Sequence, residues 1–591
     1  MQIINSDQGC RFAGREWVET CDQCPGMNVG VGRRNCAEDG MRTERFWKTV
    51  KYEYIYIRPE GKGREIRLII NNLMSSHKLP IGIQSFEKLR TEGFRYIDKT
   101  HLVYKLAESG CYYFLSRPRR FGKSLFLSTL EAYFLGRKDL FSGLAIENLE
   151  KDWIEYPVLR LDLNTQKYEN SDALDHVLND FLQKEEAKYG LTSQNKYYGP
   201  RFSAVIQKAY EHSGKRVVIL VDEYDKPVLQ AIGNDALQDE YRSTLKSFYG
   251  ALKSSDRYIQ FAFLTGVTKF GKLSVFSDLN HLNDISMDPR YYDICGLTEK
   301  EIRSNLSEEV EALAGNLGVQ PEEAYAMLKE NYDGYHFSED DKPGMYNPFS
   351  ILNALDKKKL GSYWFETGTP TYLVELLKKH NYNLSDLEKE EPTADELNSV
   401  DSASTNPIPV IYQSGYLTIK GYDQRFGLYK LGYPNKEVEE GFVKFLIPYY
   451  TNVDKTRSGF EVSLFVREIE SKNIDGFMHR LQAFLSNCPY ELQPDQERHF
   501  QSVMYILTTL CGFYVEVEEH TSKGRMDMTI RTDRYIYIFE FKFNASAEVA
   551  LKQIEDMGYA DKFKEDGREV ICIGASYSSE ERNISSWSIS E

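Results

Sequence analysis

Residues 116–124, with the sequence SRPRRFGKS, are of the types that bind nucleotide phosphates. They stand between a predicted strand and a predicted helix, where backbone N–H groups and the helix dipole favour an anion. Lys123 would reach the β- and γ-phosphates of ATP, and the hydroxyl of Ser124 would ligate Mg²⁺. The other residues predicted to line the nucleotide are Arg117, Arg119, Arg120, Phe121, Gly122 and Leu125. Arg117 occupies the place where the usual pattern has a glycine.

A second segment supplies acidic groups at the end of an apolar run. Residues 217–221, with the sequence VVILV, are followed by Asp222 and Glu223. Asp222 would hold Mg²⁺ through water, and Glu223 would polarise the attacking water. Thr265 ends a third apolar run and is the predicted sensor of the γ-phosphate, with Thr268 as the alternative. The competing interpretation is a buried strand with a solvated acidic turn, and threonines that merely belong to turns.

A third group of residues could cleave nucleic acid. In Tyr535–Phe543, with the sequence YIYIFEFKF, strand alternation puts Glu540 and Lys542 on one face. Asp527 on the preceding predicted strand would lie across the hairpin from Glu540. The two carboxylates form a hard oxygen site for Mg²⁺, which lowers the pKa of its bound water, and Lys542 would orient that water. The alternative is an ordinary hairpin with a cross-strand ion pair.

Two helices around this hairpin add further candidates. Gln553, on the helix predicted to follow the hairpin at 545–563, would point back toward the site, with Tyr559 as a further contact. Glu497, near the start of the helix before it, is either an additional acid of the site or a favourable charge at a helix N-terminus. We leave both interpretations open.

The elements that position these residues alternate between strand and helix from residue 79 onward. Such alternation predicts right-handed crossovers and an α/β fold with the parallel sheet of a P-loop NTPase. A mostly helical, winged-helix-like middle region with a hairpin at 416–431 should follow, and then a restriction-endonuclease-like αβββαβ domain. The predicted domains are an N-terminal extension at 1–77, an ATPase domain at 78–300, the middle region at 301–485 and a nuclease-like domain at 486–591.

Composition limits the classes of protein that remain. The 591 residues are 41% hydrophobic and carry a net charge of −16, which excludes a uniformly basic nucleic-acid coat protein. No run of ~18 apolar residues predicts a membrane span. Nine scattered cysteines indicate a reduced, cytoplasmic protein, and unligated thiols are favoured over a zinc site for Cys10, Cys21, Cys24 and Cys36. One hypothesis is that translation starts at Met74, so that the extension is not native.

The motifs together resemble the bacterial AAA-ATPase-like family. The resemblance is carried by RPRRFGKS at 117–124, YIDKT at 96–100 and VDEYD at 221–225. It continues through YDGYHF at 332–337, YNPF at 346–349, YQSGYLT at 412–418 and GYPN at 432–435. It implies a P-loop ATPase with a C-terminal nuclease-like module. By this resemblance, an arginine in place of the usual glycine at position 117 looks normal for the family. It also implies, by analogy, a role in defence against foreign DNA or in mobile-element biology.

The sequence therefore predicts a protein that binds and hydrolyses ATP and is coupled to a Mg²⁺-dependent nuclease acting on nucleic acid, with DNA favoured. The alternatives are an ATP-driven switch or scaffold whose nuclease-like domain binds without cleaving, and a winged-helix regulator that uses ATP only as a ligand. A homo-oligomer is left open. Arg242 and Arg290 are candidate arginine fingers, and the lysines at 357–359 are read as a solvated helix face.

Overall fold

The computed structural model describes most of the chain after residue 77. The described residues are 2–5, 27–30, 78–192, 195–269, 282–340, 342–366, 371–380, 382–398, 406–451, 458–486, 496–512, 514–522 and 525–590. They form two compact units, 1–78 with 90–95 and 79–89 with 96–591. In the first unit, the strands Gln2–Asn5 and Met27–Gly30 pair in parallel. The hypothesis of a start at Met74 and the thiol interpretation of Cys10, Cys21, Cys24 and Cys36 lie outside the described residues.

The second unit begins with a five-stranded parallel sheet. Its strands are β1 (Tyr112–Ser116), β2 (Val158–Asp162), β3 (Val217–Asp222), β4 (Ile259–Gly266) and the short β5 (Asn283–Asp284). Their order is β2-β3-β4-β1-β5, and every pair is parallel. Continuous apolar runs form β1 and β3 because both faces of the sheet are covered. Since β4 lies between β1 and β3, the predicted phosphate loop, the acids and Thr265 emerge at one edge.

Helices follow most of these strands, as right-handed crossovers require. Helix α1 (Lys123–Phe134) follows β1 directly. The other helices of this region are Phe86–Thr91, Thr100–Ser109, Ile146–Leu149, Ser171–Lys188, Tyr198–Ser213, Lys226–Gln230 and Asp235–Ser254, with short 3-10 turns at Lys138–Phe141, Asp256–Tyr258 and Pro289–Tyr291.

The middle of the chain is helical and contains one hairpin. The hairpin strands β6 (Thr418–Asp423) and β7 (Leu428–Gly432) pair antiparallel between the helices α2 (Ile408–Gln413) and α3 (Lys436–Tyr450). The remaining elements are Glu299–Asn305, Ser307–Leu317, Pro321–Tyr332, Pro348–Lys357, Tyr363–Glu366, Thr371–Lys379, Leu384–Asp386, Ala394–Asn398, Ser458–Glu470 and Ile474–Ser486. Part of this region has its own hydrophobic cluster, centred on Leu306, Leu313 and Tyr332.

The C-terminal part is a mixed five-stranded sheet between two helices. Its strands lie in chain order: β8 (Glu516–Ser522), β9 (Arg525–Arg531), β10 (Tyr535–Phe543), β11 (Glu569–Ser578) and β12 (Asn583–Ser590). Only β10 and β11 are parallel. Helix α4 (Gln496–Gly512) covers one face through Phe500, and α5 (Ala547–Asp556) covers the other through Ile554. This is the predicted αβββαβ core with one additional strand, β12.

Two local findings complete the fold. The helix predicted over 545–563 ends at Asp556, because Gly558 takes a left-handed φ of 63° before a 3-10 turn at Asp561–Phe563. No helix within the described residues combines the length and the apolar character that crossing a bilayer requires.

Candidate nucleotide and nuclease sites

The predicted phosphate loop joins β1 to α1. Gly122 precedes the helix with a φ of 96°, a conformation that glycine adopts without strain. The Lys123 side chain is buried, and its Nζ atom donates to the carbonyls of Arg117 at 2.9 Å and Pro118 at 3.2 Å. Ser124 is half-buried in the first helical turn. The lysine is therefore held over the loop by the carbonyls of the loop itself.

The acids lie at the end of β3, beside the loop. Asp222 is 2% exposed and accepts a 2.7 Å hydrogen bond from the Thr265 hydroxyl at the end of β4. Glu223 adopts a φ of 54°, and its Oε1 atom lies 3.6 Å from Nζ of Lys123. The sheet order thus brings together Lys123, Asp222, Glu223 and Thr265, which the sequence predicts as one site.

Asp225 is a buried carboxylate outside the set of residues that the sequence predicts for the site. It accepts hydrogen bonds from the backbone of Val267 and Thr268 and from the Thr268 hydroxyl. Burial, and then the charge of Glu223, raises the pKa of Asp225 to about 6. Because Thr268 is engaged with Asp225, Thr265 is the threonine that contacts the acid predicted to hold Mg²⁺.

A second unassigned acid ends the neighbouring strand. Asp162 is the register partner of Asp222 across β2 and β3. Burial raises the pKa of Asp162 above its ordinary value, and the Asp222 charge acts in the same direction. Lys226 donates to the Asn164 side chain at 2.6 Å, which places an ammonium on this side of the acids. The signal in the sequence is the run VLRLD at Val158–Asp162, which ends in an acid as β3 does.

Arg117 differs from its predicted role as a nucleotide contact. Its side chain is 1% exposed and donates to the carbonyls of Ser286 at 2.6 Å and Tyr291 at 3.3 Å. Its guanidinium also lies 4.0 Å from the ring centre of Phe337. Burial lowers the pKa of Arg117 to about 10. These contacts hold the guanidinium in the protein interior. Within the loop, Arg117 therefore contributes its backbone carbonyl, which accepts from Lys123.

Two apolar residues predicted to line the nucleotide are also packed inward. The Phe121 side chain is 1% exposed, with ring centres of Tyr335 and Phe337 at 4.7 Å and 5.5 Å. Leu125 is half-buried and packs against the main core. The side chains of Phe121 and Leu125 therefore pack in the core, and only their backbone atoms could contact a ligand.

Arg119 and Arg120 have exposed side chains above the loop. The Arg119 guanidinium lies 6.0 Å from the ring centre of Tyr372, and that of Arg120 lies 4.9 Å from Phe349. The Trp364 indole donates to the Arg119 carbonyl at 3.0 Å. The middle region therefore forms one wall of the candidate nucleotide site, and the YDGYHF and YNPF segments belong to that wall.

These residues fit ATP and Mg²⁺ by the chemistry of their donors. The buried carboxylate of Asp222 and the hydroxyl of Ser124 are hard oxygen ligands of the kind that Mg²⁺ binds. The start of α1 offers N–H groups to phosphate oxygens, and Lys123 supplies a fixed positive charge.

The second candidate site lies on the central strand of the C-terminal sheet. The Glu540 side chain is fully buried, and Lys542 places its Nζ atom 2.9 Å from Oε1 of Glu540. Strand register pairs Asp527 of β9 directly with Glu540. The backbone at Asp527 is described, whereas its side chain lies outside the described part. The register thus sets the three predicted residues at neighbouring positions of one sheet.

A glycine allows α5 to approach the sheet beside Glu540. Gly574 of β11 pairs with Glu540, and a Cβ atom at Gly574 would lie 2.9 Å from Cα of Leu551 and closer still to the carbonyl of Ala547. Gln553 lies half-buried on the same helix. Its predicted contact with the site stays a prediction.

Glu497 lies on α4, which packs against the opposite face of the sheet through Phe500. This placement favours the interpretation of Glu497 as a charge at a helix N-terminus. Tyr559 packs in the small cluster under α5, around Ile538 and Phe563. It is on the Glu540 side of the sheet.

The chemistry of the donors fits Mg²⁺ here as well. A fully buried carboxylate is costly unless it is paired or bound to a cation, and one ammonium accompanies Glu540. Among the side chains that the structure describes, which exclude that of Asp527, no group of three His, Cys, Asp or Glu residues lies close enough to hold a metal. The acid at 527 would supply the second carboxylate.

The remaining basic candidates have local partners. Arg242 contacts Asp239 at 3.1 Å, and Arg290 contacts Asp288 at 2.6 Å. Lys357 lies 4.5 Å from the ring centre of Tyr363. These contacts favour the interpretation of Arg290 and Lys357 as ordinary surface residues, whereas the Arg242 side chain is only 11% exposed.

Comparison with known proteins shows that one family model matches the region of each candidate site. The model of a family described as Predicted AAA-ATPase matches residues 80–276, and that of the PD-(D/E)XK nuclease superfamily matches residues 495–587. A protein from Azotobacter chroococcum mcd 1, described as an uncharacterized protein in the vnfD 5′ region, is 36% identical over 528 residues. That match covers 86% of this chain and 98% of the relative. The first family range contains the phosphate loop, β3 and β4, and the second contains Asp527, Glu540 and Lys542.

Proposed function

Because the chain belongs to the AAA-ATPase-like family and carries a domain of the PD-(D/E)XK nuclease superfamily, we propose that it is an ATPase that controls a Mg²⁺-dependent nuclease. Its substrate is nucleic acid, with DNA favoured, and its setting is the cytoplasm, in defence or mobile-element biology. The observation that carries the proposal is the Glu540–Lys542 pair, fully buried at the carboxylate and in register with Asp527.

The nucleotide site works through six groups of the chain. The N–H groups at the start of α1 and the ammonium of Lys123 bind the phosphates of ATP. Glu223 accepts the proton of the attacking water, and the Thr265 hydroxyl holds Asp222 in place. Asp222 and Ser124 would hold Mg²⁺, which would supply neutralisation of the charge on the phosphate oxygens.

The nuclease site works through fewer groups. Lys542 is fixed by Glu540 at 2.9 Å, so its ammonium can orient a water near a phosphate without searching for a conformation. The burial of Glu540 beneath α5 limits the access of bulk water to one side of the pair. Asp527 and Glu540 would hold Mg²⁺, which would supply activation of a water at neutral pH.

A route of direct contacts joins the nucleotide site to the middle region. Beyond Thr268 at the end of β4, the backbone N–H of Lys269 donates to the Gln413 side chain at 2.6 Å, and Gln413 donates in turn to the carbonyl of Leu397. Gly415 approaches the phosphate loop so closely that a Cβ atom there would lie 2.5 Å from Cβ of Pro118. A change in the loop or in β4 must therefore be accommodated at the end of α2.

The same middle region contacts the nuclease domain. Helix α3 packs along α4, and the hydroxyls of Tyr433 and Tyr505 lie 3.1 Å apart. Asn383 donates to Gln501 at 3.1 Å. These contacts support a coupling in which binding or hydrolysis of ATP changes the presentation of the nuclease.

The test is cleavage of supercoiled plasmid and of labelled single strands with Mg²⁺, with and without ATP. The wild-type protein is compared with Lys542→Ala, Lys123→Ala and a charge-matched control, Lys552→Ala on the exposed side of α5. We expect cleavage to be lost in Lys542→Ala and to become insensitive to ATP in Lys123→Ala. Lys552→Ala should cleave as the wild type does.

Two outcomes would contradict the proposal. Cleavage that survives Lys542→Ala would come from another site or a contaminant. ATP hydrolysis without cleavage of any substrate would favour the alternative, an ATP-driven switch or scaffold whose nuclease-like domain binds nucleic acid or a partner.

A further inference from the structure

The turn that carries Glu223 is attached to β4 on both sides of that residue. Before Glu223, the Asp222 carboxylate accepts from the Thr265 hydroxyl at 2.7 Å. After it, the backbone N–H of Tyr224 donates to the Thr265 carbonyl at 2.9 Å, and the Tyr224 hydroxyl donates to the Thr268 carbonyl at 3.0 Å. The turn is therefore tied to one short segment of the neighbouring strand.

Asp225 makes the strongest of these attachments. Its side chain is fully buried, and one carboxylate oxygen accepts from the Thr268 N–H at 2.6 Å and from the Thr268 hydroxyl at 2.7 Å. The N–H of Val267 lies 3.1 Å from the same oxygen. Hydrogen bonds to an ionised acceptor are shorter and stronger than neutral ones. The contacts of Asp225 with Val267 and Thr268 therefore fix the turn firmly to the end of β4.

These contacts of Asp225 matter because Glu223 has an uncommon backbone conformation. A φ of 54° is rare for a residue with a Cβ atom and persists where the surroundings enforce it. The approach is also close: a Cβ atom at Gly266 would lie 2.6 Å from both Oδ1 of Asp225 and the Tyr224 ring. Because the Asp225 carboxylate is engaged by Val267 and Thr268, its effect on chemistry passes through the turn.

We propose that Asp225 is a positioning residue, which with Thr268 fixes the turn so that the Glu223 carboxylate faces the attacking water of ATP hydrolysis. The inference rests on the proposed function, because Glu223 is the proposed base. A displacement of about 1 Å in a catalytic group costs as much as ~100-fold in rate, whereas nucleotide binding depends on the loop and Lys123.

The test separates turnover from binding. Thr268→Val removes the hydroxyl that contacts Asp225 at nearly constant volume, Thr268→Ser keeps it, and Asp225→Asn sets an amide against the N–H donors. We expect Thr268→Val to lower kcat for ATP about 10-fold and Asp225→Asn about 100-fold, with the Kd of a fluorescent ATP analogue changed less than about twofold. Thr268→Ser should restore kcat to within about threefold.

The matched control is Thr129→Val on α1, a fully buried threonine whose hydroxyl donates to the Leu125 carbonyl. Unfolding midpoints of all variants are measured beside the kinetics. If Thr268→Val lowers the midpoint but leaves kcat as high as Thr129→Val does, Asp225 and Thr268 are merely structural and the inference is overturned.

Glu223→Gln is assayed in parallel, so that the two levels can be told apart. Hydrolysis that survives Glu223→Gln would overturn the proposed role of the base, and the inference with it. Hydrolysis that is lost in Glu223→Gln but unchanged in Thr268→Val and Asp225→Asn would overturn the inference alone.

Discussion

The Nζ atom of Lys123 lies 3.6 Å from Oε1 of Glu223, so the lysine of the phosphate loop and the proposed base are neighbours before a nucleotide is bound. Lys123 is also linked to the middle region, since it donates to the carbonyl of Pro118, which packs against Gly415. A ligand that takes up the ammonium of Lys123 must release Glu223 and the loop carbonyls together.

Lys123→Ala should therefore weaken the binding of ATP by at least ~100-fold, because the phosphates lose the buried positive charge at the start of α1. A fluorescent ATP analogue titrated into the full-length protein measures this. Lys138→Ala, at an exposed position on the next turn of chain after α1, is the control and should bind as the wild type does. Equal affinity of Lys123→Ala and Lys138→Ala would contradict the assignment of the loop.

Arg117→Ala should destabilise the protein by about 3 kcal/mol, because the interior loses a guanidinium that satisfies three carbonyls and covers Phe337. Arg117→Lys keeps the charge but loses the fork of donors, so its loss should be smaller but still measurable. Urea denaturation gives both values. Arg120→Ala, at an exposed site, should stay within about 0.5 kcal/mol of wild type. A loss for Arg120→Ala as large as that for Arg117→Ala would be inconsistent with the interior role of Arg117.

Gly574→Ala should disrupt the nuclease domain, because the new methyl group would overlap the backbone of α5 beside Glu540. Overpacking of this kind costs about 1–3 kcal/mol, and here the obstacle is backbone that has little room to move. We expect reduced cleavage with ATP hydrolysis unchanged. Gly512→Ala, where no atom lies within 4 Å of the new methyl group, is the control. Full cleavage by Gly574→Ala would show that α5 is not seated as described.

His499 makes the stability of the α3–α4 packing depend on pH. Burial lowers the pKa of His499 to about 4, below the ordinary value of ~6.5 that the unfolded chain has. Between these values the unfolded chain binds a proton that the folded one does not, so stability falls as pH drops from about 6.5 to about 4. The full difference would be ~3 kcal/mol, and the observed one should be smaller because part of the ring reaches solvent.

His499→Phe tests this without opening a cavity, because phenylalanine can keep the parallel packing on Tyr450. Neither ring nitrogen of His499 has a hydrogen-bond partner in the described part of the chain, so the substitution leaves no donor or acceptor behind. Denaturation curves at pH 7 and pH 4.5 should differ less in this variant than in wild type. His101→Phe, at an exposed histidine, should not reduce the difference.

Most elements around the nucleotide site could be predicted from the sequence, whereas beside the nuclease site the helix predicted over 545–563 ends at Asp556. The runs at 217–221 and 535–543 can be recognised from their own residues alone. A buried strand must be apolar, so a charged residue near its end is conspicuous. Strand β12, with the sequence NISSWSIS, was not predicted because four of its eight residues are serine, which weakens the β-branched and aromatic signal of a strand.

The roles of Arg117 and Asp225 could not be predicted, because they depend on contacts between distant parts of the chain. Arg117 stands in a phosphate-binding motif, yet its partners Ser286, Tyr291 and Phe337 lie more than 160 positions away. Asp225 looks like one more acid after a strand, and only the pairing of β3 with β4 brings Thr268 to it. Spacing within one segment does not encode either partner.

Gln413 gives the most direct test of coupling. Its side chain accepts from the backbone of Lys269 and donates to Leu397, so it bridges the end of β4 and the middle region. Gln413→Leu removes both hydrogen bonds at similar volume. We expect ATP hydrolysis and Mg²⁺-dependent cleavage to stay within about threefold of wild type when each is assayed alone, since neither set of reacting groups is touched. The stimulation or inhibition of cleavage by ATP should disappear, because the signal from β4 no longer reaches α2.

Gln230→Leu, which removes a side-chain acceptor of Tyr168 inside the ATPase sheet region, is the control and should keep the response to ATP. If Gln413→Leu responds to ATP as the wild type does, the coupling runs through another contact, and Pro118 with Gly415 is the next pair to vary.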